Sequence, residues 1–553
     1  MSKNLLFAAL LWSGVLSAQS DFHPKNPNNI ENLPIEQVQT FDHNALLAED
    51  SEREKMGQRS NHGRVAHHFI NMIEEGVWST LSNGDQVCQL RFESAQAKAV
   101  CAYFQNLWLP EGTSVSMYSP DLSVGVGPYT SEDCAVHGRF RTASMWGSEA
   151  ILEYYQPASA IGSPTIEIRG FGHFYRFVDD LKPASIGEER GGSEWCEVDV
   201  NCPEGAQWTA QRDAVVRLEI TEGNFVGLCT GSLVNNTEMD CRKYVLTALH
   251  CGVNASANDL LDCVVRFNYE RSGCGAGSAP TNKQKIGVIR LADSDDNGGD
   301  SGSDFMLLEM EDDIPASWDP FFAGWNAATT APQTAVGIHH PSGDSKKIST
   351  TQEVVSGTWS VPGYHWRVEW METVTNWGVT EGGSSGSPLY NPAGQVVGTL
   401  TGGGSFCNSP TQNDFYGKMD RHWDDNPNSA NQKLKVWLDP DQSTVETQML
   451  GSYMNNSLAL PCSQTTSLEE TVSFEDVVIF PTAANDFVQI YTTEFQAVRE
   501  VRVFDAAGAM VRSFQLNDPS TTLDVTAFAS GMYYITFIHN DSQHLTKKFN
   551  VVR

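Results

Sequence analysis

Apolar residues along this chain recur mostly in short runs separated by Gly, Pro, Ser and Asn, the pattern of strands between turns rather than of long amphipathic helices. The exception stands at the start. Leu5 to Leu16 is apolar without a polar face, follows Lys3 and ends on Ser17 and Ala18, which predicts an export signal over residues 1–18. From 21 to about 190, a polar Asn- and Glu-rich stretch leads into β-like runs at Val87 to Phe92, Ile151 to Tyr155 and Thr165 to Ile168. The sequence IGEERGGSEW around Gly187 to Gly192 is polar and glycine-containing, and reads as an exposed, cleavable boundary. Beyond it, from Cys196 to about Pro440, the runs Ala214 to Ile220, Tyr244 to Ala248, Val264 to Tyr269, Phe305 to Met310, Trp366 to Trp370 and Val396 to Leu400 predict an antiparallel sandwich or barrel. Asn431 to Asp439 is expected to be a short terminal helix. A Ser/Thr/Gln stretch at Cys462 to Glu470 then precedes strands at Val477 to Phe480, Phe487 to Tyr491, Glu500 to Asp505, Met510 to Phe514 and Met532 to Ile538, expected to form a small all-β sandwich.

Length agrees with this division, because 553 residues exceed what one core supports. Lys and Arg total 36 against 68 Asp and Glu, a net charge of −32 that repels nucleic acid and anionic lipid. After the signal no apolar run is long enough to span a bilayer as a helix. Twelve cysteines in an exported chain point to disulfides. No C-x-x-C pair suggests zinc, and spacing alone leaves the connectivity open.

Three segments carry candidate chemistry. GGSSGSPLY at Gly382 to Tyr390 offers serines among glycines whose backbone N–H groups can face a reacting carbonyl. TALHC at Thr247 to Cys251 delivers His250 from an apolar strand, and SDFMLLEM at Ser303 to Met310 opens a buried strand with Asp304. Ser, His and Asp are the types that an acyl-transfer nucleophile, its base and its orienter require. Asp293, Asp295, Asn297, Gly298 and Asp304 imitate part of a calcium loop but lack its bidentate Glu, so no metal is expected. His339 and His340 have no third ligand nearby and read as structural.

In the order His250, Asp304, Ser385, with TALHC and GSSGSPL, the chain resembles the trypsin/chymotrypsin-type double β-barrel. More narrowly, CEVDVNCPEG, GSLVNN, SDFMLLEM, HHPSGDSKKIS and NDFYGK resemble secreted bacterial lysyl endopeptidases. That resemblance implies His250 as base, Asp304 as its orienter and Ser385, rather than Ser384 or Ser387, as nucleophile. Gly383 and Ser385 N–H would form the oxyanion hole. Thr401, Gly402 and Gly403 would lie on the strand that pairs with substrate, and Asp414 would stand at the base of the primary pocket. Thr401 departs from the family, which has a histidine there stacked on a tryptophan, a partner that Trp359 could supply. This puts strict preference for Lys over Arg in doubt. Ser384 replaces the aspartate that receives a freed N-terminus in trypsin-type enzymes, so activation by N-terminal insertion is not expected. The resemblance also implies disulfides Cys196–Cys407, Cys202–Cys274 and Cys229–Cys251. Cys241 and Cys263 are expected to pair by position, on strands that look adjacent.

Residues 19–190 resemble propeptides of such proteases, with cleavage expected between Arg190 and Gly191. FPTAANDFVQIY, VRVFDAAGAMV, LDVTAFASGMYYITF and the terminal KKF resemble the C-terminal sorting domain of the type IX secretion route. The expected organisation is therefore a signal at 1–18, a propeptide at 19–190, a protease domain at 191–445, a linker at 446–472 and a sorting domain at 473–553, all-β throughout. The implied protein is a serine endopeptidase without cofactor, exported through the periplasm, then secreted or attached to the outer surface. It would be a monomer acting on protein or peptide substrates and handled by the type IX machinery. The rival readings are a Glu-specific protease of the same fold and a non-catalytic surface adhesin.

Overall fold

The computed structural model of the chain describes residues 24–55, 59, 61–133, 137–176, 192–280, 282–424, 429, 432–440, 447–455, 477–480, 483–492, 498–505, 510–516, 520–539 and 544–552. The expected signal, the bond between Arg190 and Gly191, and most of the 446–472 linker lie outside them. Among the described residues no helix is long and apolar enough to cross a membrane.

Strands dominate, as the short apolar runs predict. In the N-terminal unit, Ile35–Gln37, Val77–Thr80, Gln86–Glu93, Glu149–Gln156, Ser114–Tyr118 and Gly125–Tyr129 form one sheet. It packs on a second sheet through a core that includes Phe92, Phe104, Met117, Leu152 and Phe171. A 13-residue helix, His43–Lys55, interrupts the β pattern. Its sequence HNALLAEDSEREK carries too few apolar residues to show a helical period.

The second sheet does not stop at the N-terminal unit. Its order runs Gln284–Ile286, Val264–Arg266, Val215–Glu222, Phe225–Leu233, then Asn61–Asn71, Thr165–Phe174, Ala99–Trp108 and Phe140–Arg141. Tyr244–Thr247 pairs on Phe225–Leu233 and on Met306–Met310, curling the central unit into a first barrel. Continuity across the two units explains why seven of the eight residues of Val215–Glu222 are buried, Arg217 and Glu219 included. One face of that strand enters the barrel core and the other is covered by the N-terminal unit.

The second barrel is a nine-stranded sheet whose central strand Gln395–Gly403 pairs with Pro388–Tyr390 and Asn413–Lys418. Gln448–Met449 and Ser452–Tyr453 pair with Gly324–Asn326 and Phe321–Phe322. The expected terminal helix is short, Lys435–Leu438. The last unit has its own core of Val488, Val501, Ile535, Phe537 and Phe549 between a three- and a five-stranded sheet.

Disulfides join Cys196–Cys407, Cys202–Cys274 and Cys229–Cys251. The expected Cys241–Cys263 bond is not formed: Cys263 is a buried free thiol and Cys241 is bridged elsewhere. The reason lies in the strand order. Cys263 leads into Val264–Arg266 and Cys241 precedes Tyr244–Thr247, with Val215–Glu222 and Phe225–Leu233 between them. Three interstrand steps of about 4.8 Å separate the two by roughly 14 Å, twice the reach of a disulfide. Cys88 and Cys101 are also free and buried.

Candidate active site

His250 follows the strand Tyr244–Thr247 in a single helical turn, Leu249–Cys251, pinned by the Cys229–Cys251 bond. Asp304 sits just before Met306–Met310, which pairs with Tyr244–Thr247, so the ladder between these strands sets the two side chains side by side. Asp304 Oδ2 lies 2.7 Å from His250 Nδ1, and Oδ1 accepts the His250 backbone N–H at 2.9 Å. Burial alone would push the imidazole pKa down, but the charge and hydrogen bond of Asp304 carry it above the ordinary value.

Asp304 is fully buried at a φ of 59°, a left-handed conformation that costs free energy in a non-glycine residue. Asp296, which the sequence reading passed over, holds it there. Its Oδ2 accepts the Asp304 N–H at 2.8 Å and its Oδ1 accepts Gly299 N–H at 2.9 Å. The calcium-like loop is thus organised by a carboxylate that receives backbone donors. Asp293 pairs with Arg290 at 3.3 Å and accepts the Asp295 N–H at 2.9 Å.

The loop before Pro388–Tyr390 presents three serines with different fates. Ser384 and Ser387 are fully buried, whereas Ser385 lines a cavity of about 670 Å³ together with His250. Ser384 Oγ bonds His339 Nδ1 at 2.8 Å, and His339 Nε2 bonds Ser349 Oγ at 2.8 Å, so His339 braces the loop. Burial pushes that imidazole down to about 3, which keeps it neutral. His340 likewise ties Nδ1 to the Asp344 carbonyl. The N–H groups of Gly383 and Ser385 donate to no other described group, and Ser385 lines the cavity together with Gly382. Ser385 and His250 share the cavity without a direct hydrogen bond.

One wall of the cavity is made by Thr380, Leu400, Thr401, Gly402, Gly403 and Ser405. Asp414 lies one layer behind it, fully buried. Its Oδ2 accepts from Trp370 Nε1 at 2.6 Å, Thr380 Oγ1 at 2.7 Å and Ser405 Oγ at 2.6 Å, and its Oδ1 accepts Ser405 N–H at 3.2 Å. Burial raises this carboxyl's pKa, and the four donors oppose the shift. Gly403 is required here, since a Cβ would come within 1.9 Å of Asp414 Oδ1. Trp359 also lines the cavity, its ring against Gly402 and tilted on Phe415. Behind Thr401, His365 Nε2 meets Thr401 Oγ1 at 3.0 Å, another contact invisible in the sequence. The described residues contain no cluster of His, Cys, Asp and Glu able to hold a metal.

Residues 190–417 match the family model of the lysyl endopeptidase C-terminal domain, and residues 478–552 that of the secretion system C-terminal sorting domain. A lysyl endopeptidase of Pseudomonas aeruginosa is 33% identical over 260 residues, covering 43% of this chain and 52% of the relative. The chain therefore spans about half the length of that curated relative. Among solved structures, an active-form protease of M. tuberculosis aligns with 14% identity over 44% of this chain and 90% of its own, at a TM-score of 0.28. A thermostable serine protease from an extremophilic microorganism aligns with 15% identity over 38% of this chain and 92% of its own, at a TM-score of 0.29.

Proposed function

We propose that the chain is a secreted serine endopeptidase that hydrolyses peptide bonds on the carboxyl side of lysine and also admits arginine. The observation that carries this reading is the Asp304–His250 pair and Ser385 around one cavity, with the buried Asp414 carboxylate behind its wall. Ser385 Oγ attacks the scissile carbonyl while His250 Nε2 takes its proton, and Asp304 fixes the Nδ1–H tautomer and stabilises the imidazolium that forms. The N–H groups of Gly383 and Ser385 receive the oxyanion. His250 then returns the proton to the leaving amine, and water repeats the sequence on the acyl-enzyme.

Asp414 supplies the negative charge for a cationic side chain entering past Thr380 and Ser405, whose hydroxyls can turn to accept from it. A glutamate side chain would meet a like charge there, which argues against the Glu-specific alternative. Thr401, smaller than the family's histidine, leaves room for the wider guanidinium. Export and delivery to the outer surface belong to the sorting unit, whose partner is the secretion machinery. A denatured protein of known sequence, digested and mapped, tests the specificity: cuts after lysine and arginine are expected, and cuts after glutamate or apolar residues would overturn it. Removing residues 473–553 should leave an active enzyme that no longer reaches the outer surface. Normal surface delivery of the truncated chain would refute the sorting role.

A further inference from the structure

The loop that carries Ser385 opens at Glu381, whose side chain leaves the loop and reaches two other segments. Its Oε1 accepts the Glu194 N–H at 2.8 Å and its Oε2 accepts from Ser342 Oγ at 2.6 Å. Ser342 is held at a φ of 51°, in the left-handed region, and donates its own N–H to the Gly382 carbonyl at 2.6 Å. That carbonyl belongs to the same planar peptide as the Gly383 N–H, and in a trans peptide the two point in opposite directions. Ser342 therefore sets which way the Gly383 N–H faces, and Glu381 holds Ser342. Thr230 fixes the other end of the loop, with Oγ1 donating to the Gly383 carbonyl at 2.9 Å and N–H to the Ser385 carbonyl at 2.8 Å.

Glu197 stands behind Glu381. It follows Cys196, which is anchored by its bond to Cys407, and both of its carboxylate oxygens are buried without a donor among the described residues. They face the Glu381 carboxyl. Two carboxylates in contact away from water cannot both ionise, so the pair keeps one proton. Burial, and then the charge of Glu381, push the Glu197 carboxyl well above the ordinary range; Asp344 adds to this and Lys347 opposes it. Lys347 is already engaged, by Asp199 at 2.5 Å and by Asp344 at 3.3 Å. Burial raises Glu381 too, with the charge of Glu194 adding, but the donors Ser342 and Glu194 N–H favour its ionised form. The proton thus sits on Glu197, which donates to Glu381. His339, the other titratable group braced on this loop, stays neutral between Ser384 and Ser349.

On the serine protease reading above, we propose that Glu197 and Glu381 are positioning residues for the hydrolysis: the proton they share holds Ser342, and through it the Gly383 N–H, in the orientation that receives the oxyanion. When pH rises and that proton leaves to solvent, two carboxylates face each other. Glu381 is pushed off Ser342, and the Gly382–Gly383 peptide is free to turn. The support is full while the pair is protonated and is lost as pH rises, the opposite direction to His250, whose neutral form is gained as pH rises.

The test follows kcat and KM for a lysyl anilide against pH on wild type, Glu197→Gln and Glu197→Ala, each produced as the full chain and assayed in its processed form. Wild-type kcat should fall along a one-proton limb on the alkaline side of its maximum, with little change in KM. Glu197→Gln, whose amide donates at every pH, should keep kcat near wild type at the maximum and lose that limb. Glu197→Ala leaves Glu381 without its donor and should lower kcat by about tenfold, short of the roughly hundredfold or more that follows outright loss of an oxyanion donor. Identical pH profiles for wild type and Glu197→Gln would overturn the proposal, as would a Glu197→Ala enzyme with wild-type kcat or one altered in KM alone. If Glu197→Gln does not fold, Ser342→Ala cuts the same chain of contacts one link later: it should lower kcat and abolish the alkaline limb, and an unchanged limb would overturn the proposal. No hydrolysis by wild type at any pH would defeat the protease reading itself, whereas hydrolysis indifferent to Glu197 defeats only the positioning role.

Discussion

Replacing Asp414 with asparagine preserves the shape of the side chain and removes its charge, so it separates the two roles the carboxylate plays. The carboxylate accepts four hydrogen bonds, from Trp370, Thr380 and twice from Ser405. An amide with its oxygen at Oδ2 keeps the bond from Trp370, whose ring nitrogen can only donate. Its NH2 group then faces the Ser405 N–H, two donors against each other, at a cost of about 1–3 kcal/mol in stability. The effect on catalysis is larger. A desolvated substrate ammonium left without its counter-charge loses about 3–5 kcal/mol, which at 1.4 kcal/mol per tenfold lowers kcat/KM for lysine substrates by about two to three and a half orders of magnitude. Thermal unfolding, steady-state kinetics on lysyl and uncharged esters, and the rate of fluorophosphonate labelling read these effects separately. Labelling should stay within a few-fold of wild type, because the probe carries no cation. An unchanged kcat/KM for lysine would refute the placement of Asp414 behind the specificity pocket.

Four further outcomes follow from the same geometry. The raised pKa of His250 means that the neutral base is lost as pH falls, so the acid limb of kcat/KM should have its midpoint above 6.5. Asp304→Asn should move that midpoint down and lower kcat by roughly four orders of magnitude. Asp296→Ala should release the backbone donors that hold Asp304 in its left-handed conformation, costing about 1–3 kcal/mol in stability and lowering kcat with little change in KM; rescue by Asp296→Asn should be partial, and a pure KM effect would contradict the positioning role. Replacing Cys229 and Cys251 by serine opens a loop with a sequence separation of 22, and should lower stability in denaturant by about 3 kcal/mol on loop-entropy grounds, against no change if the bond were not formed.

What could be read from the sequence depended on how local each signal is. TALHC, SDFMLLEM and GSSGSPL each place a reactive residue at the end of an apolar strand or in a glycine loop, so a few neighbours suffice to mark them. Strand adjacency is not local. Cys241 and Cys263 look like neighbours along the chain, and only the sheet order reveals two strands between them. Asp296 was hidden for a different reason: within DSDDNGGD nothing distinguishes the carboxylate that turns inward to backbone N–H groups from those facing solvent. His365 reaches Thr401 only because Pro362–Glu369 and Gln395–Gly403 both pair with Asn413–Lys418. Arg59 stands between a polar helix and a strand, and its contact with the Cys251 carbonyl spans 192 positions. On Val215–Glu222, Glu219 meets Arg141 of the N-terminal unit, a partner that the local sequence does not reveal.

Ser385, activated by His250 and Asp304, is proposed above as the nucleophile of a lysine-directed endopeptidase. The most direct measurement is to label the processed protein with a fluorophosphonate and locate the adduct by peptide mass spectrometry, with Ser385→Ala alongside. One adduct is expected, on Ser385, with loss of both labelling and peptide hydrolysis in the variant. An adduct on Ser384 or Ser387, or continued hydrolysis by Ser385→Ala, would contradict it.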